Sequence, residues 1–207
     1  MRAEVVPGEP ALILRGRKRI LIVADLHIGL VRYVDENIVN KLRDLANDVG
    51  ADEVVILGDL KHSLGYDRRV ENLLRDFDFI LVKGNHDGGL EGEKELRIGK
   101  FHLIHGHFKP KDFGDFLIVG HAHPSIYLYG VKERVWIFGE WKNRKVIVMP
   151  AFNELCSSTP INLRRPAGFL FREWDYSNAN VATLDCVMLG KVKDLKVQCS
   201  STFRQLQ

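Results

Sequence analysis

Cysteine is scarce in this 207-residue chain. Cys156, Cys186 and Cys199 are few, odd in number and without CxxC spacing, which argues against a disulfide framework and against a cysteine zinc site. Long apolar runs are missing as well. The longest is the five residues 20–24 (ILIVA), far short of the ~18 that a membrane-spanning helix needs, so no membrane role is expected. Charge of one sign is missing too, since 30 Lys+Arg against 27 Asp+Glu leaves +3. Composition therefore predicts neither an obligate polyanion binder nor an acidic solvating chain. No basic start leads into a long apolar stretch with a small-residue cleavage site, and with so little cysteine a reducing cytoplasm is the expected compartment. Repeats and low-complexity tracts are absent, and no linker-like stretch occurs before about residue 155. The expected organisation is one domain over residues 1–180 with a tail of weak periodicity over 181–207.

What the chain does have is histidine: there are eight, most of them in tight clusters. Short β-branched runs at 20–24, 54–57, 79–82, 101–104 and 116–119 have the length and composition of buried strands. An amphipathic helix with Val34, Ile38, Leu42, Leu45 and Val49 at helical spacing separates the first two, and Gly50 is placed to end it. A second helix is expected after Asp67 as N-cap, with Val70, Leu73, Leu74 and Phe77 as its apolar stripe. Strand and helix alternate, so the first half reads as α/β with a largely parallel arrangement. From Val135 two apolar segments flank a polar turn at residues 142–144, which predicts a hairpin and an antiparallel second half.

Each of the five apolar strands runs directly into polar residues. Asp25 and His27 follow the first, Asp59 and His62 the second, Asn85, His86 and Asp87 the third, His105 and His107 the fourth, and His121 and His123 the fifth. In α/β sheets ligands gather outside the carboxyl ends of strands, so these clusters are expected to converge on one edge. Two carboxylates, a carboxamide and several imidazoles suit divalent transition metals rather than calcium, and cysteine is expected to take no part. Six or seven such groups exceed what one tetrahedral ion uses, so two ions sharing a carboxylate is the economical arrangement, with Asp59 the natural bridge. One Asp-x-His alone would be an ordinary cap or turn. The tetrapeptide GNHD, however, is expected only about 0.001 times by chance in a chain of this length, before its four companions are required. Either imidazole of HGH could be a ligand, with His105 nearer the strand end; His102 lies inside a strand and receives no role. Asp87 is open between a ligand-supporting carboxylate and a solvated turn residue.

Asp-x-His, Gly-Asp, Gly-Asn-His-Asp, His-Gly-His and Gly-His-x-His in this order resemble the calcineurin-like metallophosphoesterases over residues 20–125. The resemblance implies a mixed α/β fold, a four-layer sandwich of two mixed β-sheets flanked by helices, with two divalent metal ions, Mn first and Fe, Zn or Ni as alternatives. Carried over by position, Asp25, His27, Asp59 and His123 would hold one ion, and Asp59, Asn85, His105 and His121 the other. Protein phosphatases of the superfamily carry Asp three residues after the bridging Asp; here that residue is His62. The pattern is similar to SbcD-type nucleases, which implies a pair of His62 and His86, and residues 149–154 (MPAFNE) with the overall size are similar to small archaeal SbcD-related phosphoesterases. The repair nucleases carry a sizeable further domain that grips duplex DNA, for which this chain leaves little room, so substrate stays open.

The expected function is phosphodiester hydrolysis by a metal-bridging hydroxide. His86, surplus to the ligand count, assists the leaving group, and His62 tunes it. A phosphate ester is the expected substrate, with DNA or RNA ends or single strands the first class. The alternatives are a phosphomonoesterase or cyclic-nucleotide phosphodiesterase on small molecules, and a non-catalytic interaction scaffold. Residues 15–19 (RGRKR) and Arg164-Arg165 are the basic stretches that could touch phosphates; the first reads better as a solvated hairpin turn. Trp136 and Trp141 are expected in the core rather than stacked on bases.

Overall fold

A computed structural model describes residues 1–31, 35–65 and 67–195. The first sheet is built from β1 (Arg2–Val5), β2 (Ala11–Arg15), β3 (Arg19–Val23), β4 (Glu53–Leu57) and β5 (Ile80–Val82), in that order across the sheet. β1, β2 and β3 are antiparallel neighbours, whereas β3, β4 and β5 run parallel. Two helices provide the crossovers, α1 (Asp35–Asp48) and α2 (Arg68–Leu74). The second sheet contains β6 (Glu95–Ile98), β7 (Phe101–Ile104), β8 (Phe116–Val119), β9 (Pro124–Leu128), β10 (Val131–Trp141), β11 (Arg144–Val148) and β12 (Thr159–Pro160). Its order is β12-β9-β10-β11-β8-β7-β6. After a five-residue helix, α3 (Phe169–Glu173), the chain adds β13 (Asn180–Thr183) and β14 (Met188–Lys191), with β13 pairing β10.

Alternation along the strands divides the apolar residues into three layers. Leu21 and Val23 of β3 face outward with Val39, Leu42 and Leu45 of α1 and Val70 and Leu74 of α2. Ile20 and Ile22 face inward, where they share a core with Phe101, Leu103, Ile118, Trp136 and Ile147 of the second sheet. On the far side of that sheet, Val135, Ile137, Val146 and Val148 pack under Phe169, Leu170 and Phe171 of α3. Strands covered on both faces read as continuous apolar runs, which is why the sequence signal for them is strong. The four-layer sandwich of two mixed sheets follows.

The five strand runs are parallel to their neighbours among themselves, as the alternation with helices led us to expect, but they are shared between the two sheets. β3, β4 and β5 belong to the first sheet, and β7 and β8 to the second. Between β5 and β8 no helix intervenes, so the chain crosses to a new sheet instead of continuing the old one. The 142–144 turn is a hairpin as expected, with Lys142 and Asn143 both at positive φ (50° and 60°) between β10 and β11, the two-residue geometry that suits twisted strands. α1 ends as expected at Gly50, whose φ of 59° lets Ala51 N donate back to Ala46 O at 2.8 Å. Val34 lies outside the described residues. α2 begins at Asp67, which accepts from Arg69 N, but stops at Leu74; Phe77 still packs on the same core. β13 crosses the boundary placed at residue 180, and Val192 beyond it is buried; residues 196–207 lie outside the described residues.

The basic residues 15–19 form the exposed β2–β3 turn, as the solvated-turn reading has it, with Arg15 paired to Glu4 and Lys18 to Glu53. Trp136 and Trp141 are buried, which leaves core packing as their role. His102 is buried in β7; its Nδ1 accepts from Gly114 N at 3.2 Å, and Nε2 lies 3.4 Å from Glu95.

Two predictions follow from the packing. Trp136→Ala opens the layer between the sheets and should cost about 3–5 kcal/mol of stability, read as a lower urea midpoint. Burial, then Arg97, pushes His102 below its ordinary value of 6.5, so the unfolded chain takes up a proton there before the folded chain does. Its contribution to stability is present above the unfolded value and is lost as pH falls through the folded one. His102→Gln should make the acid side of the stability–pH curve shallower; an unchanged slope would show that His102 is not part of it.

Candidate metal centre

Parallel pairing aligns the carboxyl ends of the strands. Val23 sits opposite Ile56 and Leu57 opposite Val82 in the first sheet, while Ile104, Val119 and Val148 are in register in the second. Just past these ends, Asp25, His27, Asp59, His105, His121 and His123 come together from both sheets. Asp25, His27 and Asp59 place ligand atoms within 4.8 Å of one another, and so do Asp59, His105 and His121. His62, Asn85 and His86 line the same cleft, an opening of about 220 Å³ walled also by Leu30, Cys156 and Ser157. The convergence expected of a single edge is therefore achieved by two edges facing each other.

The backbone is bent hard to achieve this. Asp25, His27, Asp59, His121 and His123 all have positive φ, between 40° and 64°, a region that costs non-glycine residues on the order of 1–3 kcal/mol each. Hydrogen bonds hold the bends in place. Asp25 N donates to Gly58 O (3.1 Å) and His27 N to Asp59 O (2.8 Å) within the first sheet. Across the sheets, His121 N donates to Asp25 Oδ2 at 3.0 Å.

The carboxylates are the electrostatic centre. Asp25 is fully buried, with His105 Nε2 at 2.9 Å and His123 Nε2 at 3.3 Å from its Oδ1. Burial alone would raise its pKa, but His123 and His105 hold it well below the usual carboxylate range. Asp59 Oδ1 accepts from His86 N at 2.9 Å, and its Oδ2 lies 3.6 Å from His27 Nε2 and 3.7 Å from His105 Nε2. Burial, together with the Asp25 charge, pushes Asp59 upward. Burial likewise lowers His27 to about 4 and His121 to about 3, so both present neutral imidazoles, the form that ligates metals.

Imidazoles and carboxylates at these separations suit divalent transition ions. The sharpest sign is His27, which is 6% exposed and has both ring nitrogens buried without a hydrogen-bond partner. A buried imidazole left in that state is costly, and a coordinated ion relieves it. Between the two imidazoles of HGH, His105 faces the carboxylates; His107 sits behind it, Nδ1 to Nδ1 at 3.1 Å. Asn85 is exposed at the cleft rim.

His62 and His86 are neighbours, though not through their side-chain nitrogens. Their rings stack at 5.7 Å and 16°, and His86 Nδ1 donates to the His62 carbonyl at 2.6 Å. That bond fixes the tautomer and leaves Nε2 toward Asp59, 4.0 Å from Oδ2.

Asp87 is not a solvated turn residue. It is fully buried, accepting from Leu60 N (2.9 Å) and Gly84 N (2.8 Å), and so ties the Asp59 loop to the Asn85 loop. Sequence reasoning missed Lys61, also fully buried, which donates to the carbonyls of Ser63 (2.7 Å) and His86 (2.5 Å). Its position inside the polar cluster after β4 was the available signal.

Gly84 shows how closely the loops approach. A Cβ there would lie 2.1 Å from Asp59 Oδ1 and 2.3 Å from Asp59 N, whereas one at Gly88 would meet only Leu64 O at 3.6 Å. Gly84→Ala should therefore displace Asp59 and weaken metal binding by about 10–100-fold, the range for lost support around a ligand. Gly88→Ala should bind as the parent does. Competition titration against a chromophoric chelator measures both.

The calcineurin-like phosphoesterase family matches residues 18–154. Among solved structures, the nuclease MPE of Pseudomonas putida aligns with a TM-score of 0.63 at 20% identity, over 89% of this chain and 96% of that one, a likeness of fold. YfcE, a phosphoesterase from E. coli, aligns at 0.46 and 18% identity over 83% of this chain and 97% of that one. A metallophosphoesterase from Sphaerobacter thermophilus aligns at 0.42 and 17%, over 86% and 90%; these two are too distant to carry weight. No curated protein sequence matches the chain significantly. The matched span takes in all five polar clusters from Asp25 to His123, and with them the chain belongs to the calcineurin-like phosphoesterase family, hydrolases that act on phosphate esters with divalent metals.

Proposed function

We propose that the protein is a two-metal phosphodiesterase of nuclease type. Asp25, His27, Asp59 and His123 hold one ion, and Asp59, Asn85, His105 and His121 hold the other, with manganese the first choice of metal. Two ions bound there supply a strong nucleophile at neutral pH and neutralise charge on the phosphoryl oxygens. The remaining steps fall to side chains. His86 reaches the reacting group through Nε2, because Nδ1–H is held by the His62 carbonyl; as the imidazolium it carries a second proton on Nε2, which it gives to the leaving oxygen, becoming the neutral Nδ1–H tautomer. His62 positions that ring by stacking and by its carbonyl. Lys61 and Asp87 keep the two loops that carry these histidines at a fixed separation.

The observation that carries the diester reading is the lining of the cleft. Among the described residues it contains no Arg or Lys, whereas a terminal phosphate monoester brings a second negative charge that a cationic side chain would meet. A diester, with one charge, is served by the metals and His86. DNA or RNA ends and single strands are the first substrate class, in keeping with an open cleft.

One observation favours small diesters as the second reading. The larger groove next to the cleft, which shares Cys156 and Ser157 with it, mixes Lys132 and Arg134 with Glu133, Glu154 and Asp185, unlike a track for a polyanion. Salt separates the two: hydrolysis of a nucleic acid should weaken steeply as salt rises, and that of a small diester much less.

Metal-stripped protein reloaded with manganese should hydrolyse bis-p-nitrophenyl phosphate in preference to p-nitrophenyl phosphate. His86→Ala should keep its metals and lose about 10²-fold or more of turnover, while Asp59→Asn should lose metal. Monoester preference, or full activity in His86→Ala, would overturn the assignment.

A further inference from the structure

A sixth strand end reaches the centre. β11 runs parallel to β8 and in register with it, and the chain beyond Val148 turns back over the cleft. Phe152 N donates to Ala24 O at 2.7 Å and Asn153 Nδ2 to Leu26 O at 2.9 Å, which fastens this segment to the loop that carries Asp25 and His27. Further along, Ser157 O accepts from His123 Nδ1 at 2.9 Å. Between these anchors stands Cys156, half-buried, a free thiol on the cleft wall with Sγ 3.9 Å from Asp25 O.

Three ligand atoms meet here. Cys156 Sγ, a ring nitrogen of His27 and a ring nitrogen of His123 lie within 4.8 Å of one another. Donor atoms at about 2.0–2.3 Å from one tetrahedral ion lie about 3.3–3.6 Å apart, so the three need to close by at most about 1.5 Å to bind one ion. His27 gives the second indication, since it is more than nine-tenths buried and neither of its ring nitrogens has a hydrogen-bond partner.

We propose that Cys156 is a further protein ligand, a thiolate on the ion held by His27 and His123, which makes the two ions chemically unlike. This rests on the reading that Asp25, His27, Asp59 and His123 hold an ion. Binding replaces the S–H bond by an S–metal bond, and the proton leaves to solvent. A sulfur donor biases this position toward zinc, iron or cobalt, while the oxygen and nitrogen donors of Asp59, Asn85, His105 and His121 leave the other open to manganese. The expectation that cysteine takes no part in metal binding is thereby revised. It was drawn from the absence of CxxC spacing, which describes all-cysteine sites and not a single sulfur among histidines.

Cobalt(II) titrated into the metal-stripped full chain tests this by spectrum, without turnover. The visible ligand-field bands report that cobalt is bound, and a near-ultraviolet sulfur-to-cobalt charge-transfer band reports Cys156. Wild type should show both; Cys156→Ser should keep the visible bands and lose the charge-transfer band. Visible bands without charge transfer in the wild type, or charge transfer that survives in Cys156→Ser, would overturn the proposal and leave the metal-site reading standing. No visible bands in the wild type would overturn both. As a second measurement, zinc should slow alkylation of Cys156 by iodoacetamide at least tenfold while exposed Cys186 reacts at its original rate; equal rates with and without zinc would also overturn it.

Discussion

Two carboxylates share one buried site, and the surrounding structure answers to that constraint. Asp25 and Asp59 are almost without solvent contact, and like charges so placed must be compensated by protons or cations. Without an ion, the compensation comes from imidazoles: His105 and His123 lie within 3.3 Å of Asp25 and are raised by it, His123 to about 9, despite burial that acts the other way. His27 and His121, further from that charge, stay neutral. The cluster thus sets histidines raised by the acids against histidines lowered by burial around one pair of carboxylates, an arrangement that divalent ions can enter by displacing protons.

The cost of the arrangement lies in the backbone. Five of the site residues are non-glycine positions at positive φ, and the strand ends that carry them are held apart from water on both faces. The three apolar layers oppose that strain. Because β3 and β4 are packed between helices and the opposite sheet, and β7 and β8 between the opposite sheet and α3, the bends after them have little freedom to relax. Asp87 and Lys61, both buried, then fix one bent loop against another by binding backbone groups and not ligands. Preorganisation here is a property of loops stapled at their roots.

The site was legible in the sequence because its residues stand directly after short apolar strands, and that adjacency survives whatever sheet each strand joins. Which sheet that is was not legible: residues 101–104 and 116–119 have the same apolar composition as the strands of the first sheet, and only pairing shows that they build the second. Likewise Ala11–Arg15 was not singled out as a strand, although its four apolar residues are fully or nearly buried. The His62–His86 relation was implied by the resemblance to SbcD-type nucleases, but its form, a ring bonded to a backbone carbonyl, depends on loop geometry that composition does not encode. Lys61 and Cys156 were passed over for opposite reasons, one as an ordinary surface lysine type and the other for want of a motif.

The central claim is that two ions sit at these strand ends and share Asp59. Crystals soaked in manganese and measured near its absorption edge test it directly. The account predicts two anomalous peaks about 3.5–4 Å apart, one beside Asp25, His27 and His123 and the other beside Asn85, His105 and His121, with Asp59 touching both. A single peak, or two of which Asp59 touches only one, would contradict it.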